Sequence, residues 1–464
     1  MDTPWQGDTI SLVEAFRSGE RSPVEELQAT YAAIDASGLN SVSHVDPERA
    51  LEVAEGADVS APFGGVPLGV KELDAVAGWP DTHASVALAD HVADASDTKI
   101  QRLEDAGAVL FGLTTASEFG GVNQTYTKLN GATRNPWNLE RTPGGSSGGS
   151  AAGVAGGLFT IATAGDGGGS IRIPAGFCGL FGLKCTWGRI PRGPKAGPGN
   201  LTAVPGCVSR SVRDTARWFD VSNGFDPRDP LSLPRVDGWE AGLDTVLVDA
   251  GPLTAAVIVE FGNAVVAPEV IELVTEAAEW LIGATGVERR DVDVRIPHTG
   301  GAWGVTGGVG LVQTLGDRWP ACADELTGAM RVGVQNTIEH FDVHAAVKAE
   351  QRRIELNEAM ADLFDQVDLV FAATNPDVAF GADGRLPSVF GGREARPINN
   401  GALTIPSKIY GNPAVSIPIG HASDGLPVGL QILAAHHREP LLLDVARVVE
   451  RDRPWPLVAP NAPV

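Results

Sequence analysis

The sequence predicts an α/β protein in which a mixed or parallel sheet is covered by helices. Apolar runs of strand length alternate with segments of helical period along most of the chain. The composition is that of an ordinary globule, 43% hydrophobic and 20% charged, with an aliphatic core and only 6% aromatic residues. The 57 glycines and 32 prolines are clustered, most densely between positions 144 and 182.

The elements follow in order. A helix is expected over 12–18, and a second after the Ser22-Pro23 start signal, with Glu25 and Glu26 in its first turn and Leu27, Tyr31 and Ile34 on one face. The run 66–70 reads as a strand ending at Lys71. A helix over 98–106 leads into a strand over 108–113. In the glycine-rich middle, 150–155 suits a small-residue helix and 160–163 a strand, so this region is no flexible linker. Downstream, the spacing of Val270, Leu273, Val274, Ala277 and Leu281 predicts a helix, as does the stretch 347–363. Strands are expected over 368–373 and 414–418.

Bulk properties exclude several function classes. The net charge of −23 argues against a nucleic-acid backbone or an anionic membrane as partner. Cys178, Cys185, Cys207 and Cys322 make neither a disulfide framework nor a CxxC zinc site. The Met1-Asp2-Thr3-Pro4 start lacks the basic and apolar regions of a signal peptide, and no run of about 18 uncharged apolar residues exists. The expected location is the cytoplasm. His340 and His344 are spaced i, i+4 but lack the Glu of a metalloprotease motif, so no metal is expected.

Two segments carry the chemistry: Gly144-Gly145-Ser146-Ser147-Gly148-Gly149-Ser150 and Asp166-Gly167-Gly168-Gly169-Ser170-Ile171-Arg172. In the second, the backbone N–H groups of Gly167, Gly168, Gly169 and Ser170 can converge on one point before a helix, as an oxyanion site requires. Ser170, the first side chain after three glycines, is placed to attack, but a serine hydroxyl needs a base. None of the nine histidines lies in a recognisable catalytic context.

These blocks, with Pro67-Leu68-Gly69-Val70-Lys71-Glu72, Gly131-Ala132-Thr133-Arg134-Asn135-Pro136-Trp137-Asn138, Gly168-Gly169-Ser170-Ile171-Arg172-Ile173-Pro174-Ala175, Gly182-Leu183-Lys184, Gly411-Asn412-Pro413-Ala414-Val415-Ser416 and Asp424-Gly425-Leu426-Pro427-Val428-Gly429-Leu430-Gln431, closely resemble the amidase signature family. The resemblance runs from about residue 10 to 450, with its core over 60–210 and its weakest part over 225–400. It implies one domain over 1–464, with a mixed, twisted central sheet of about eleven strands between helices. It also implies a Ser-Ser-Lys catalytic set: Lys71 as base, Ser146 as a bridging serine held after a cis peptide bond, and Ser170 as nucleophile. Asp166 and Arg172 match positions that order the nucleophile loop, although a local ion pair or helix cap would explain them as simply. The chain departs from the family at Gly165, where a hydroxyl residue is usual, and at Cys185, where proline is usual.

The implied activity is hydrolysis of a carboxylic amide through an acyl-enzyme, without metal or organic cofactor. Neutral lysine at pH 7 would cost roughly 4.6 kcal/mol at its ordinary pKa, so Lys71 must be buried. Glu72 or Asp74 pointing inward would oppose that shift. Two other readings stand beside it: an amidotransferase A-type subunit that uses glutamine in a tRNA-dependent complex, and an α/β-hydrolase elbow with Ser146 as nucleophile. The elbow should follow an apolar strand, and Asn138-Leu139-Glu140-Arg141-Thr142-Pro143 is not one. Gly120, Gly121, Val122 and Asn123, with Trp303 and Trp319 near the glycine run over 300–310, are expected to shape an acyl or aryl pocket. Aryl acylamides, aliphatic and cyclic amides, esters and carbamates all fit that reading. Monomer and homodimer are both left open.

Overall fold

A computed structural model describes residues 3–196, 203–298 and 300–464. Local sequence rules set its first elements. Helix Thr9–Ser18 starts on Asp8, which accepts from the Ser11 amide, and ends on Gly19 in the left-handed conformation. Helix Pro23–Ala36 carries a full capping box, with Ser22 Oγ accepting from Glu25 N and the Glu25 carboxylate accepting from Ser22 N. Both lie within two or three residues of their expected starts.

Five strands form the first sheet: β1 (Val42–Val45), β2 (Pro67–Lys71), β3 (Val109–Thr114), β4 (Ile161–Asp166) and β6 (Val204–Ser209), in the order β1-β3-β2-β4-β6. The inner trio β3-β2-β4 is parallel, and the edges are antiparallel. Every residue of β2 and β3 is buried, which explains why both read as continuous apolar runs without alternation.

The second sheet contains β5 (Gly182–Lys184), β7 (Thr254–Val257), β8 (Glu288–Arg289), β9 (Leu369–Ala373), β10 (Ala414–His421) and β11 (Pro427–Ala434), in the order β8-β7-β9-β11-β10-β5. The two sheets meet where Phe181 and Ser209 exchange backbone hydrogen bonds of 3.2 and 3.3 Å. One apolar cluster runs across this seam, from Leu12 and Leu68 through Phe181 and Leu183 to Leu430 and Trp455. The protein is therefore a mixed α/β single domain.

Helices Pro268–Thr285 and Val343–Phe364 occupy the stretches whose apolar spacing predicts them. The glycine run over 300–310 is part of a helix, Gly300–Leu315. There, a Cβ at Gly308 would lie 2.0 Å from Thr337 Oγ1 of helix Gly328–His340, so that glycine permits close helix packing. No helix among the described residues is long and apolar enough to cross a membrane.

The parallel trio aims the carboxyl ends of β2 and β4 in one direction, the usual position of a ligand crevice in α/β sheets. Helix Gly148–Ala155 packs against this trio with no side chain larger than Val154, and Phe159 fills the space beside it. A Cβ at Gly153 would lie 2.1 Å from Phe159 Cζ. Alanine gains about 1 kcal/mol of helix propensity over glycine, but overpacking costs about 1–3 kcal/mol. Gly153→Ala should therefore lower the urea midpoint of unfolding, and the double variant Gly153→Ala/Phe159→Leu should recover part of the loss.

Candidate active site

Lys71 is the last residue of β2 and is almost wholly buried. Its amide donates to Thr163 Oγ1 at 2.7 Å, and its Nζ donates to Ser146 Oγ and Ser147 Oγ, each at 2.8 Å. Burial lowers its pKa from 10.5 to about 8, against the opposing pull of Asp74, Asp166 and Glu72. Glu72 and Asp74 do oppose the shift, as their proximity in sequence suggested, but both carboxylates are engaged elsewhere. Glu72 accepts from Ala116 N at 2.5 Å and from Asn130 Nδ2, and burial raises its own pKa to about 7. Asp74 accepts from Thr163 Oγ1 at 2.6 Å and pairs with Lys99 at 3.0 Å. Desolvation prevails.

Ser146 follows a cis peptide bond from Gly145. Glycine is required at 145 because a Cβ would lie 2.5 Å from Ser117 Oγ and 2.7 Å from Gln124 N. The Ser146 carbonyl accepts from Ser117 N at 3.1 Å. The residues before Ser146 form no strand, only isolated bridges at Asn135, Asn138 and Arg141, so the elbow context is absent.

The loop that carries Ser170 leaves β4 at Asp166. Asp166 Oδ1 accepts from Gly169 N at 2.7 Å, and Gly169 has φ +123°, a conformation that favours glycine. The expected convergence of four amides is thereby corrected to three: Gly169 N–H is turned onto Asp166. The N–H groups of Gly167, Gly168 and Ser170 have no acceptor among the described residues. Two further bonds fix the loop, Thr404 Oγ1 to the Gly168 carbonyl and Trp303 Nε1 to the Gly167 carbonyl, both at 2.6 Å.

Arg172 locks the loop from behind. Its Nε and Nη2 clasp the Asp166 carboxylate at 2.9 and 3.1 Å. Nη1 reaches Ser407 Oγ and Gln431 Oε1, and Nη2 the Thr404 carbonyl. Both charges are fully buried, and Arg172 holds the Asp166 pKa well below the usual carboxylate range against its desolvation. This extends well beyond a local ion pair, because the guanidinium joins β4 to β11 and to helix Ile405–Tyr410. It also accounts for the downstream Gly429-Leu430-Gln431 string. Gln431 anchors Arg172, and a Cβ at Gly429 would come 3.0 Å from Gly176.

The expected pocket residues divide. Gly120 lies against Ser146 Oγ and Leu73, and Trp303 covers Gly168. The space beside Gly121 is filled by Met330, in an apolar cluster that also takes in Val122 and Trp319. A Cβ at Gly401 would lie 3.6 Å from Asn123 Nδ2. His340 and His344 sit on successive helices separated at 341–342, so they share no helix face. Cys185 is buried with its thiol on the Pro205 carbonyl, and Gly165 backs onto Ser147 Oγ. Thr163, Ser147 and Thr404 hold Lys71 and the loop; Thr163 and Thr404 lie outside the singled-out strings, and Ser147 lies within one but was given no role.

This arrangement is a buried amine on a serine pair, and Gly165 of β4, bonded to one of that pair, leads into a loop whose free amides precede Ser170. The chain matches the Amidase family model over residues 24–305 and 317–443. It belongs to the amidase signature family and is a hydrolase acting on C–N bonds. It is 34% identical to the 6-aminohexanoate-cyclic-dimer hydrolase of Paenarthrobacter ureafaciens, over 97% of this chain and 95% of that one. It is 33% identical to the A-type subunit of the glutamyl-tRNA(Gln) amidotransferase of Trichormus variabilis, over 97% and 98% of the two chains. Among solved structures it is similar to a bacterial aryl acylamidase of the family, with TM-score 0.89 and 28% identity over 97% of both chains.

Removing Arg172 strands the Asp166 charge in the interior, which typically costs about 3–5 kcal/mol. Arg172→Met should destabilise the protein by about that amount in urea unfolding. Gln431→Leu, which removes the acceptor of Arg172 and the donor to the Leu403 carbonyl, should cost about 1–3 kcal/mol.

Proposed function

We propose that the chain hydrolyses carboxylic amides of small molecules through an acyl-enzyme on Ser170, with Lys71 as base and Ser146 as proton relay. The observation that carries this reading is the Lys71 amine, buried with no carboxylate on its Nζ among the described residues and 2.8 Å from Ser146 Oγ. At a pKa of about 8, freeing the amine at pH 7 costs only about 1 kcal/mol. Neutral Lys71 takes the Ser146 proton as Ser146 takes that of Ser170. Ser170 Oγ bonds to the substrate carbonyl carbon, and the amides of Gly167, Gly168 and Ser170 receive the developing oxyanion. The C–N bond then breaks, and the proton on Lys71 returns through Ser146 to the departing amine. Water repeats the sequence on the ester and frees the acid.

Trp303, resting on the loop beside Ser170, supports a substrate with a flat apolar or aryl group. Similarity to an aryl acylamidase supports the same substrate class, and similarity to a 6-aminohexanoate-cyclic-dimer hydrolase supports cyclic aliphatic amides beside it. The full-length similarity to an amidotransferase component favours glutamine as a second reading. A panel of anilides, cyclic amides, aliphatic amides, aryl esters, aryl carbamates and glutamine separates the two. Turnover of anilides or aryl carbamates is expected, and turnover of glutamine alone would overturn the aryl reading.

A fluorophosphonate should label Ser170, as located by peptide mapping. Lys71→Ala should slow labelling and kcat/KM by about 10²–10⁴-fold. Label on Ser146 that is indifferent to Lys71 would overturn the assignment. Because the neutral amine is the active form, kcat/KM should rise with pH through an apparent pKa near 8. A flat profile from pH 6 to 9 would contradict it.

A further inference from the structure

Lys99 lies in the first turn of helix Thr98–Asp105, outside every string that resembles the family, and its side chain is buried. Its Nζ pairs with Asp74 Oδ1 at 3.0 Å and with Asp97 Oδ2 at 2.5 Å. The other oxygen of Asp74 accepts from Thr163 Oγ1, which itself accepts from the Lys71 amide. The Asp74 amide donates to the Lys71 carbonyl at 2.8 Å. One carboxylate thus clamps the end of β2 from which the Lys71 side chain projects.

That clamp carries an electrostatic penalty. A carboxylate close behind a buried amine draws a proton onto it, and Asp74 is the strongest such influence on Lys71. The other charged groups facing Lys71 are Glu72 on its own turn, Asp166 at the end of β4 and Lys99 on the neighbouring helix. Glu72 is turned onto Ala116 and Asn130, and Asp166 is held by Arg172. Asp74 has Lys99 as its charged partner.

We propose that Lys99 is a positioning residue for the base, neutralising Asp74 so that this carboxylate can anchor the Lys71 backbone without holding a proton on the Lys71 amine. The inference rests on the reading of Lys71 as base. A purely structural ion pair would affect stability and rate without moving the pH dependence. An electrostatic role moves it in opposite directions when either partner is neutralised.

The test is the pH dependence of Ser170 labelling by a fluorophosphonate in the full-length protein, with folding checked by circular dichroism. Lys99→Met should shift the ascending limb to higher pH by about one unit, with labelling about tenfold slower at pH 7 and near the wild-type rate above the limb. Asp74→Asn should shift it to lower pH, the double variant should restore it, and Lys99→Arg should leave it in place. If Lys99→Met fails to fold, the acid shift of Asp74→Asn and the unmoved limb of Lys99→Arg decide the matter. Limbs unmoved, or moved in the same direction, by the two neutralisations would overturn the role of Lys99 while leaving Lys71 as base. A wild-type limb that persists in Lys71→Ala would overturn the base assignment and, with it, this inference.

Discussion

The site depends on a buried amine whose hydrogen-bond partners, among the described residues, are serine hydroxyls and not carboxylates. Lys71 is fixed at the end of a strand enclosed on both sides, so its ammonium loses hydration that the hydroxyls of Ser146 and Ser147 only partly replace. The cost of the neutral amine at pH 7 falls from roughly 5 to about 1 kcal/mol. The surrounding structure places acids nearby for mechanical reasons and then neutralises or diverts each one. Glu72 is hydrogen-bonded outward, Asp166 is clasped by Arg172, and Asp74 is paired with Lys99.

The second constraint is the loop that carries Ser170. Its shape comes from Asp166, which draws Gly169 N–H inward and leaves the neighbouring amides open. Asp166 is fixed by a guanidinium that also donates to Gln431 of β11 and to Thr404 and Ser407 at the start of helix Ile405–Tyr410. The second sheet therefore supports this loop from behind. Gln431 and Thr404 hold the Ser170 loop of the first sheet through Arg172 and the Gly168 carbonyl. This explains why strings some 250 residues apart read as one pattern.

Much of this was legible in the sequence because the signals were local. The Ser22-Pro23 start, the apolar runs of β2 and β3, and the glycine blocks each report a nearby backbone requirement. Ser146 and Lys71 were paired by resemblance, and spacing alone would not have joined residues 75 positions apart. Contacts between distant segments were not legible. Met330 occupies the space beside Gly121, which was expected to shape a pocket, and Gly169 N–H faces Asp166 and not the expected oxyanion point. The glycine run over 300–310 is helical because its neighbour, helix Gly328–His340, packs closely against it at Gly308, a tertiary fact invisible to propensity.

The most direct test of the central claim is to titrate the Lys71 amine itself. The chain has only seven lysines, at 71, 99, 128, 184, 195, 348 and 408, so a spectrum of protein labelled with ¹³C at the lysine Cε can be assigned with a Lys71→Arg variant. In a Ser170→Ala background, where no turnover perturbs the site, the Lys71 resonance should titrate near pH 8. A midpoint near 10.5, the ordinary value for lysine, would show that the amine is charged at neutral pH and would contradict the account.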